Sequence, residues 1–269
     1  MTFSIVARSA DGHSHGVAVA SKFLAVGSAV PAAQAQIGAL ATQSYANLAY
    51  RPQGLALLRT GVAAADVVAG LTAADPGRAQ RQLGVVGPVG DGATYTGDGC
   101  HDWAGGLAGD GYAIQGNILA GKQVVVAMAE AWAASDAAAP LGHRLLAALA
   151  AGDRAGGDRR GRQSAALLVV AKGQGYGGTS DVAVDLRVDD HADPVPELSR
   201  LLDLHSLYFD KPDPATLLDL TGPLAEEVRS LLAARGYPDL ESWAGVENLE
   251  ERMVPGRIDP LVLAHLRRD

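Results

Sequence analysis

Met1-Thr2-Phe3-Ser4-Ile5-Val6-Ala7-Arg8, then Asp11-Gly12, then Gly16-Val17-Ala18-Val19-Ala20, opens the chain as a β-hairpin pattern. Two runs rich in branched and apolar residues flank a turn dipeptide. The pattern predicts strands over Thr2–Arg8 and Gly16–Ala20, joined by a loop longer than two residues. It also places a threonine directly after the first methionine. Removal of Met1 sets a hydroxyl and a free α-amine on one residue, so that the amine serves as base for its own nucleophile. The plainer alternative is a first strand that simply begins at Thr2.

Outward from this hairpin, Ile37–Thr42 reads as a third strand. Gly54–Arg59 and Ala63–Ala73 read as helices, the second ended by Asp75-Pro76. Gln82–Val86 and Gly92–Thr96 form a second hairpin signal, and Gly111–Gly116 a further strand. Lys122–Ala134 and Gly142–Ala150 are helical, and Gly152–Gly161 is a polar, glycine-rich loop. Ser164–Val170 and Val182–Val188 are strands around a Gly173–Gly178 turn, and Pro194–Tyr208 is an amphipathic helix. This order lacks the βαβα rhythm of a doubly wound sheet. It predicts an α+β domain of two sheets sandwiched between helical layers.

Lys211-Pro212-Asp213-Pro214 marks the expected boundary, with a main domain over 1–210 and a small helical appendage over 211–269. Within the appendage, Ala215–Ala234 reads as a helix interrupted at Thr221-Gly222-Pro223. Gly236-Tyr237-Pro238 reads as a turn, and Leu240–Arg252 and Ile258–Leu266 as helices.

The chain has 269 residues, 48% hydrophobic, with many Ala and Gly and few aromatics. A sizeable core of small and branched side chains is therefore expected. The formal charge of -8 argues against nucleic acid as a partner. One cysteine, Cys100, excludes an internal disulfide framework. With neither a basic-then-apolar leader nor a membrane-spanning run, the expected location is cytoplasmic, without membrane contact.

Several segments together resemble the DUF1028 family: the two strands above with Ser21-Lys22-Phe23, Ala41-Thr42-Gln43-Ser44-Tyr45-Ala46-Asn47, Gln115-Gly116-Asn117-Ile118-Leu119, Gly157-Asp158-Arg159-Arg160-Gly161-Arg162-Gln163-Ser164, and Asp189-Asp190-His191. The likeness runs from about Thr2 to Phe209. It implies membership in the superfamily of N-terminal-nucleophile (Ntn) hydrolases, which includes the proteasome subunits. It also implies a four-layer αββα sandwich with Thr2 at the open end of the central sheets. The pattern departs from active proteasome subunits, which carry an aspartate near the second strand and a lysine on a later one. Here the second strand ends Ala20-Ser21-Lys22, and the third segment has glutamines but no lysine.

Candidate site residues follow. Lys22 either lowers the amine's pKa by its charge or holds a substrate carboxylate, unless it is a solvated strand-end lysine. Asn117, at a strand end before a helix, is an oxyanion donor or an ordinary helix cap. Gln43 and Asn47, flanking Tyr45, are candidates for binding an amide edge of the substrate. In the 157–163 loop, Arg159 and Arg162 suit carboxylate or phosphate recognition. Asp158 either orients the amine or pairs with an arginine. Asp185, Asp189, Asp190, His191 and Asp193 form an acidic cluster, read as a capped turn in preference to a metal site. His13 with His15, and Cys100 with His101, match reactive pairs by proximity in sequence only.

The appendage resembles a small helical module of the same family, described there as peptidoglycan-binding, through Gly236-Tyr237, Trp243, Glu247-Asn248, Glu250, Arg252 and Ile258-Asp259. The leading expectation is an N-terminal-threonine amidohydrolase. It cleaves a carbon–nitrogen amide bond of a small metabolite or peptide-like compound, with no metal or organic cofactor. The alternative is a non-catalytic Ntn-fold binding or assembly protein. A homo-oligomer and peptidoglycan-fragment binding are both compatible with the sequence.

Overall fold

A computed structural model describes residues 2–268. Met1, whose removal the nucleophile reading requires, lies outside the described residues. The contacts divide the chain into Met1–Arg200 and Leu201–Asp269. That division falls inside the helix that spans Pro194–Phe209.

In the first unit, β1 (Thr2–Arg8) and β2 (Ser14–Ser21) form the expected hairpin. A short helix α1 (Val26–Ala29) leads to β3 (Pro31–Gln34) and β4 (Gly38–Ser44), then α2 (Tyr50–Arg59) and α3 (Ala64–Ala73). β5 (Arg81–Val86), β6 (Ala93–Thr96), β7 (Gly105–Gly109) and β8 (Tyr112–Asn117) follow. α4 (Gln123–Ala134), α5 (Leu141–Arg154), β9 (Ser164–Ala171), β10 (Val182–Val188) and α6 (Pro194–Phe209) complete the series, α6 running across the division.

The strands form two antiparallel sheets, ordered β10-β9-β2-β1-β8-β7 and β3-β4-β5-β6. β1 packs on β4 and β8 on β5, while α5 lies against β1 and β2, and α2 and α3 against the smaller sheet. The fold is thus mixed α+β, with β1 central in the larger sheet. Between the sheets the core is made of Val6, Val17, Val19, Ala39, Ala41, Val86, Ala113 and Ala166. Such small side chains let two sheets lie close, which explains the chain's richness in alanine and valine. Larger side chains, Leu40, Tyr50, Leu58, Val67, Leu71 and Leu83, pack α2 and α3 on the outer face of the smaller sheet.

Some boundaries differ from the sequence reading, each for a local reason. α2 begins at Tyr50, because Pro52 lies in the first turn, where its missing N–H breaks no helical bond. α5 continues through Gly152, so the polar loop starts later. β3 and β7 carry no periodic signal: one begins with proline, and the other is Gly-Gly-Leu-Ala-Gly.

The second unit holds β11 (Leu218–Asp219), α7 (Gly222–Ala234), α8 (Leu240–Val246), β12 (Arg257–Ile258) and α9 (Pro260–Leu266). The segment expected to be helical from Ala215 is instead a short strand paired with β12, and the helix starts only at Gly222-Pro223. The helix expected through Arg252 stops at Val246, because Asn248 adopts a left-handed φ of 58°. Val228, Leu232, Trp243, Leu249, Ile258 and Leu266 form this unit's own core. Among the described residues, no helix is long and apolar enough to cross a membrane.

His15, on β2 opposite Arg8, is fully buried, and neither ring nitrogen makes a well-formed hydrogen bond among the described residues. Burial first, and the Arg8 guanidinium second, push its pKa down to about 4, against a weak backbone contact at Gly87. The folded state therefore holds His15 neutral, while the unfolded chain protonates it near its ordinary value. Stability is expected to fall as pH drops from about 6.5 to about 4, by about 3 kcal/mol in total, and then to level off. Urea midpoints across this window check it, and His15→Phe should flatten the slope. An equal slope in the variant would show that other groups carry the effect.

Candidate active site

Thr2 starts β1 at the end of the six-stranded sheet where β2 and β8 also terminate. It pairs with Asn117 in register, and its side-chain oxygen lies 3.1 Å from the hydroxyl of Ser21. Thr2 is 6% exposed. Ser21 pairs in turn with Ser164 at the start of β9. Ser164 receives the Val26 N–H and donates to the Phe23 carbonyl, tying the turn after β2 to the sheet.

Behind Thr2 lies a buried polar seam between the two sheets. Gln115 Nε2 donates to Ser4 Oγ at 2.7 Å, and Ser4 Oγ to Gln43 Oε1 at 2.7 Å. Gln43 Nε2 reaches Gln82 Oε1 at 2.8 Å and the Thr2 carbonyl at 3.2 Å. Asn117 Nδ2 donates to Gln82 Oε1 at 2.9 Å and, more weakly, to the Thr2 carbonyl at 3.5 Å. All five side chains are essentially inaccessible. Gln43 thus sits behind Thr2 with its amide engaged, and fixes the Thr2 backbone from within. Asn117 does not cap a helix, because α4 begins only at Gln123. Asn47 is held elsewhere: its amide donates to Asp75, which also accepts from Tyr50 and Arg81. The hydrogen bonds from Arg81 and Asn47 hold the Asp75 carboxyl far below its usual range.

Gly84 makes room for this seam, since a Cβ there would lie 2.1 Å from Gln115 Oε1. That oxygen is buried and has no hydrogen-bond partner among the described residues. Gly84→Ala is expected to cost about 1–3 kcal/mol, by forcing Gln115 off Ser4 in a region with no free space. Denaturant midpoints test this, and adding Gln115→Ala should relieve the steric part. A neutral Gly84→Ala would mean the seam adapts freely.

The 157–163 loop crosses the end of β1 that carries Thr2. The Asp158 carboxylate accepts from the Lys22 N–H at 2.7 Å and from the Arg160 N–H at 2.8 Å, and its backbone bridges to Leu119. Asp158 therefore joins the end of β2 to the end of β8 around Thr2, and pairs with Arg160 at 3.3 Å. Arg162 is neutralised by Asp153 at 2.9 Å and Asp193 at 3.1 Å. Lys22 Nζ donates to the Arg162 carbonyl at 3.2 Å. The exposed Arg159 donates its backbone N–H to Ile118. Ile118, a β-branched residue, holds a φ of 49°, a strained conformation fixed by hydrogen bonds on both sides of its peptide. A cavity of about 10 Å³, roomy enough for about one water, is lined by Phe3, Ser21, Asp153, Asp158 and Arg162 among others.

The acidic cluster is dispersed into local bonds. Asp185 pairs with Arg187, Asp190 with Gln163, and His191 Nδ1 accepts the Asp193 N–H. Among the described residues, no three His, Cys, Asp or Glu side chains gather as metal ligands would. His13 pairs with Asp11, apart from the buried His15, and the Cys100 thiol donates to the Arg81 carbonyl. Sequence reasoning missed Ser4, Ser21, Gln82 and Gln115. The available signal was a polar residue within an otherwise apolar strand.

The model described as "Family of unknown function (DUF1028)" matches residues 2–198, and the one described as "Putative peptidoglycan binding domain" matches residues 208–266. Among solved structures, the crystal structure of a Silicibacter pomeroyi protein, itself assigned to DUF1028, is 31% identical. The likeness covers 84% of this chain and 92% of that one, with a TM-score of 0.68. No curated protein matches the chain.

Proposed function

The chain belongs to the DUF1028 family, and from that premise we propose that its main domain is an N-terminal-threonine amidohydrolase of the Ntn-hydrolase type. The layering is then read as the αββα sandwich of that superfamily. One helical layer lies outside the six-stranded sheet, the other outside the four-stranded sheet. The observation that carries the reading is the position of Thr2. It heads a central strand, its hydroxyl is bonded to Ser21, and Asn117 and the Asp158 loop flank it on either side.

Removal of Met1 frees the Thr2 amine. The amine takes the proton from Thr2 Oγ1 as that oxygen attacks the amide carbonyl carbon. The carbonyl π pair moves to oxygen, and Asn117 or backbone N–H groups at the strand ends hold the resulting oxyanion. The weak bond from Asn117 to the Thr2 carbonyl is the one able to yield. Collapse of the intermediate breaks the C–N bond, and the leaving nitrogen receives the proton from the Thr2 ammonium. Water, giving a proton to the same amine, then attacks the acyl ester; the C–Oγ1 bond breaks, the ammonium returns the proton to Thr2 Oγ1, and the acid leaves. Gln43 and the seam behind it keep the Thr2 backbone fixed through both steps, and Asp158, bonded to Lys22 and Arg160, holds the loop beside Thr2. The match of residues 208–266 to a peptidoglycan-binding model supports peptidoglycan fragments as ligands of the second unit.

The direct test is intact mass and N-terminal sequencing of protein from its native host. A chain starting at Thr2 is expected. Met1 retained on all the material would remove the base from the mechanism and leave the non-catalytic binding role in its place.

A further inference from the structure

We propose that Lys22 and Arg159 form the anion-binding rim of the site, so that its substrate is an amide carrying a carboxylate. For its chemistry this rests on the amidohydrolase reading; for binding it stands alone. Of the four cations gathered at the Thr2 end, two are neutralised: Arg160 by Asp158, and Arg162 by Asp153 and Asp193. The other two are exposed and have no carboxylate within ion-pair distance among the described residues. Lys22 follows Ser21, which bonds Thr2, and its ammonium meets only the Arg162 carbonyl. Arg159 follows Asp158 and is anchored by its backbone to Ile118, the neighbour of Asn117. By backbone position, one of the two thus follows the end of β2 and the other lies in the loop bonded to the residue after β8, on either side of Thr2.

These two cations without a carboxylate partner stand on a chain whose net charge is -8. Across the same strand ends, the exposed rings of Tyr45 and His101 lie 6.2 Å apart. Tyr45 follows the last residue of β4, and the His101 carbonyl receives the Ile118 N–H. A flat or apolar arm opposite the carboxylate suits that side.

The test is calorimetric titration of the full chain at low ionic strength with N-benzoylglycine and with its neutral amide, N-benzoylglycinamide. The acid is expected to bind at least about tenfold more tightly than the amide. Lys22→Gln and Arg159→Gln should each shrink that preference severalfold, and the double variant should abolish it. Lys172→Gln, at the far end of β9, should leave it intact. Thr2→Ala should bind like wild type, so failure of the threonine chemistry is read separately from failure of this inference. Equal binding of acid and amide, binding of neither, or a preference that survives the double variant would overturn it.

Discussion

Thr2→Ala is expected to lower amide hydrolysis by about a thousandfold or more, because it deletes the proposed nucleophile. The fold should survive. Thr2 is held in β1 by its backbone pairing with Asn117, and its carbonyl by Gln43, neither of which needs the side chain. Thr2→Ser keeps an Oγ and should retain a substantial share of activity. The reading does not require the natural substrate. A β-lactone reagent that acylates N-terminal threonines should add its mass to the wild-type chain at Thr2 and not to Thr2→Ala. Thermal unfolding midpoints alongside show whether the variant is folded. Equal labelling of the two proteins, or labelling of wild type at another residue, would defeat the nucleophile assignment.

The residues around Thr2 were unequally legible in the sequence. Thr2, Asn117 and Asp158 stand out because polar or functional residues end apolar strands or sit in a glycine-rich loop, and the structure gathers them at one end of the larger sheet. Gln82 and Gln115 did not stand out. Each looks like a solvent-facing position, and only the stacking of one sheet on the other turns it inward, where it must find a partner. Ser21 was visible only as a strand end; its importance comes from register, which places it beside Thr2. β3 and β7 were missed because small residues and glycine carry no period.

In the second unit, Arg252→Ala is expected to cost about 3–5 kcal/mol, the usual effect of removing one partner from a buried ion pair. Arg252 is 5% exposed and Asp259 3%. The guanidinium donates to Asp259 at 2.6 Å, to the Leu207 carbonyl at 2.6 Å and to the Ser206 carbonyl. It thereby joins the end of α6 to the start of α9. Truncation leaves a buried carboxylate and two carbonyls without their donor. A unit of about 70 residues has about 3–10 kcal/mol in total, so the loss is comparable with its whole stability. Hydrogen exchange on the full chain should show α7, α8 and α9 losing protection while β1 and β2 keep theirs. Arg252→Met combined with Asp259→Asn separates charge from fold. Asn still caps α9 by accepting the Leu261 N–H, as Asp259 does at 2.8 Å, and no buried charge remains. The double variant should therefore recover most of the protection that the single one loses. If Arg252→Ala leaves exchange unchanged, or the double variant is no better than the single, the pair does not hold this unit together.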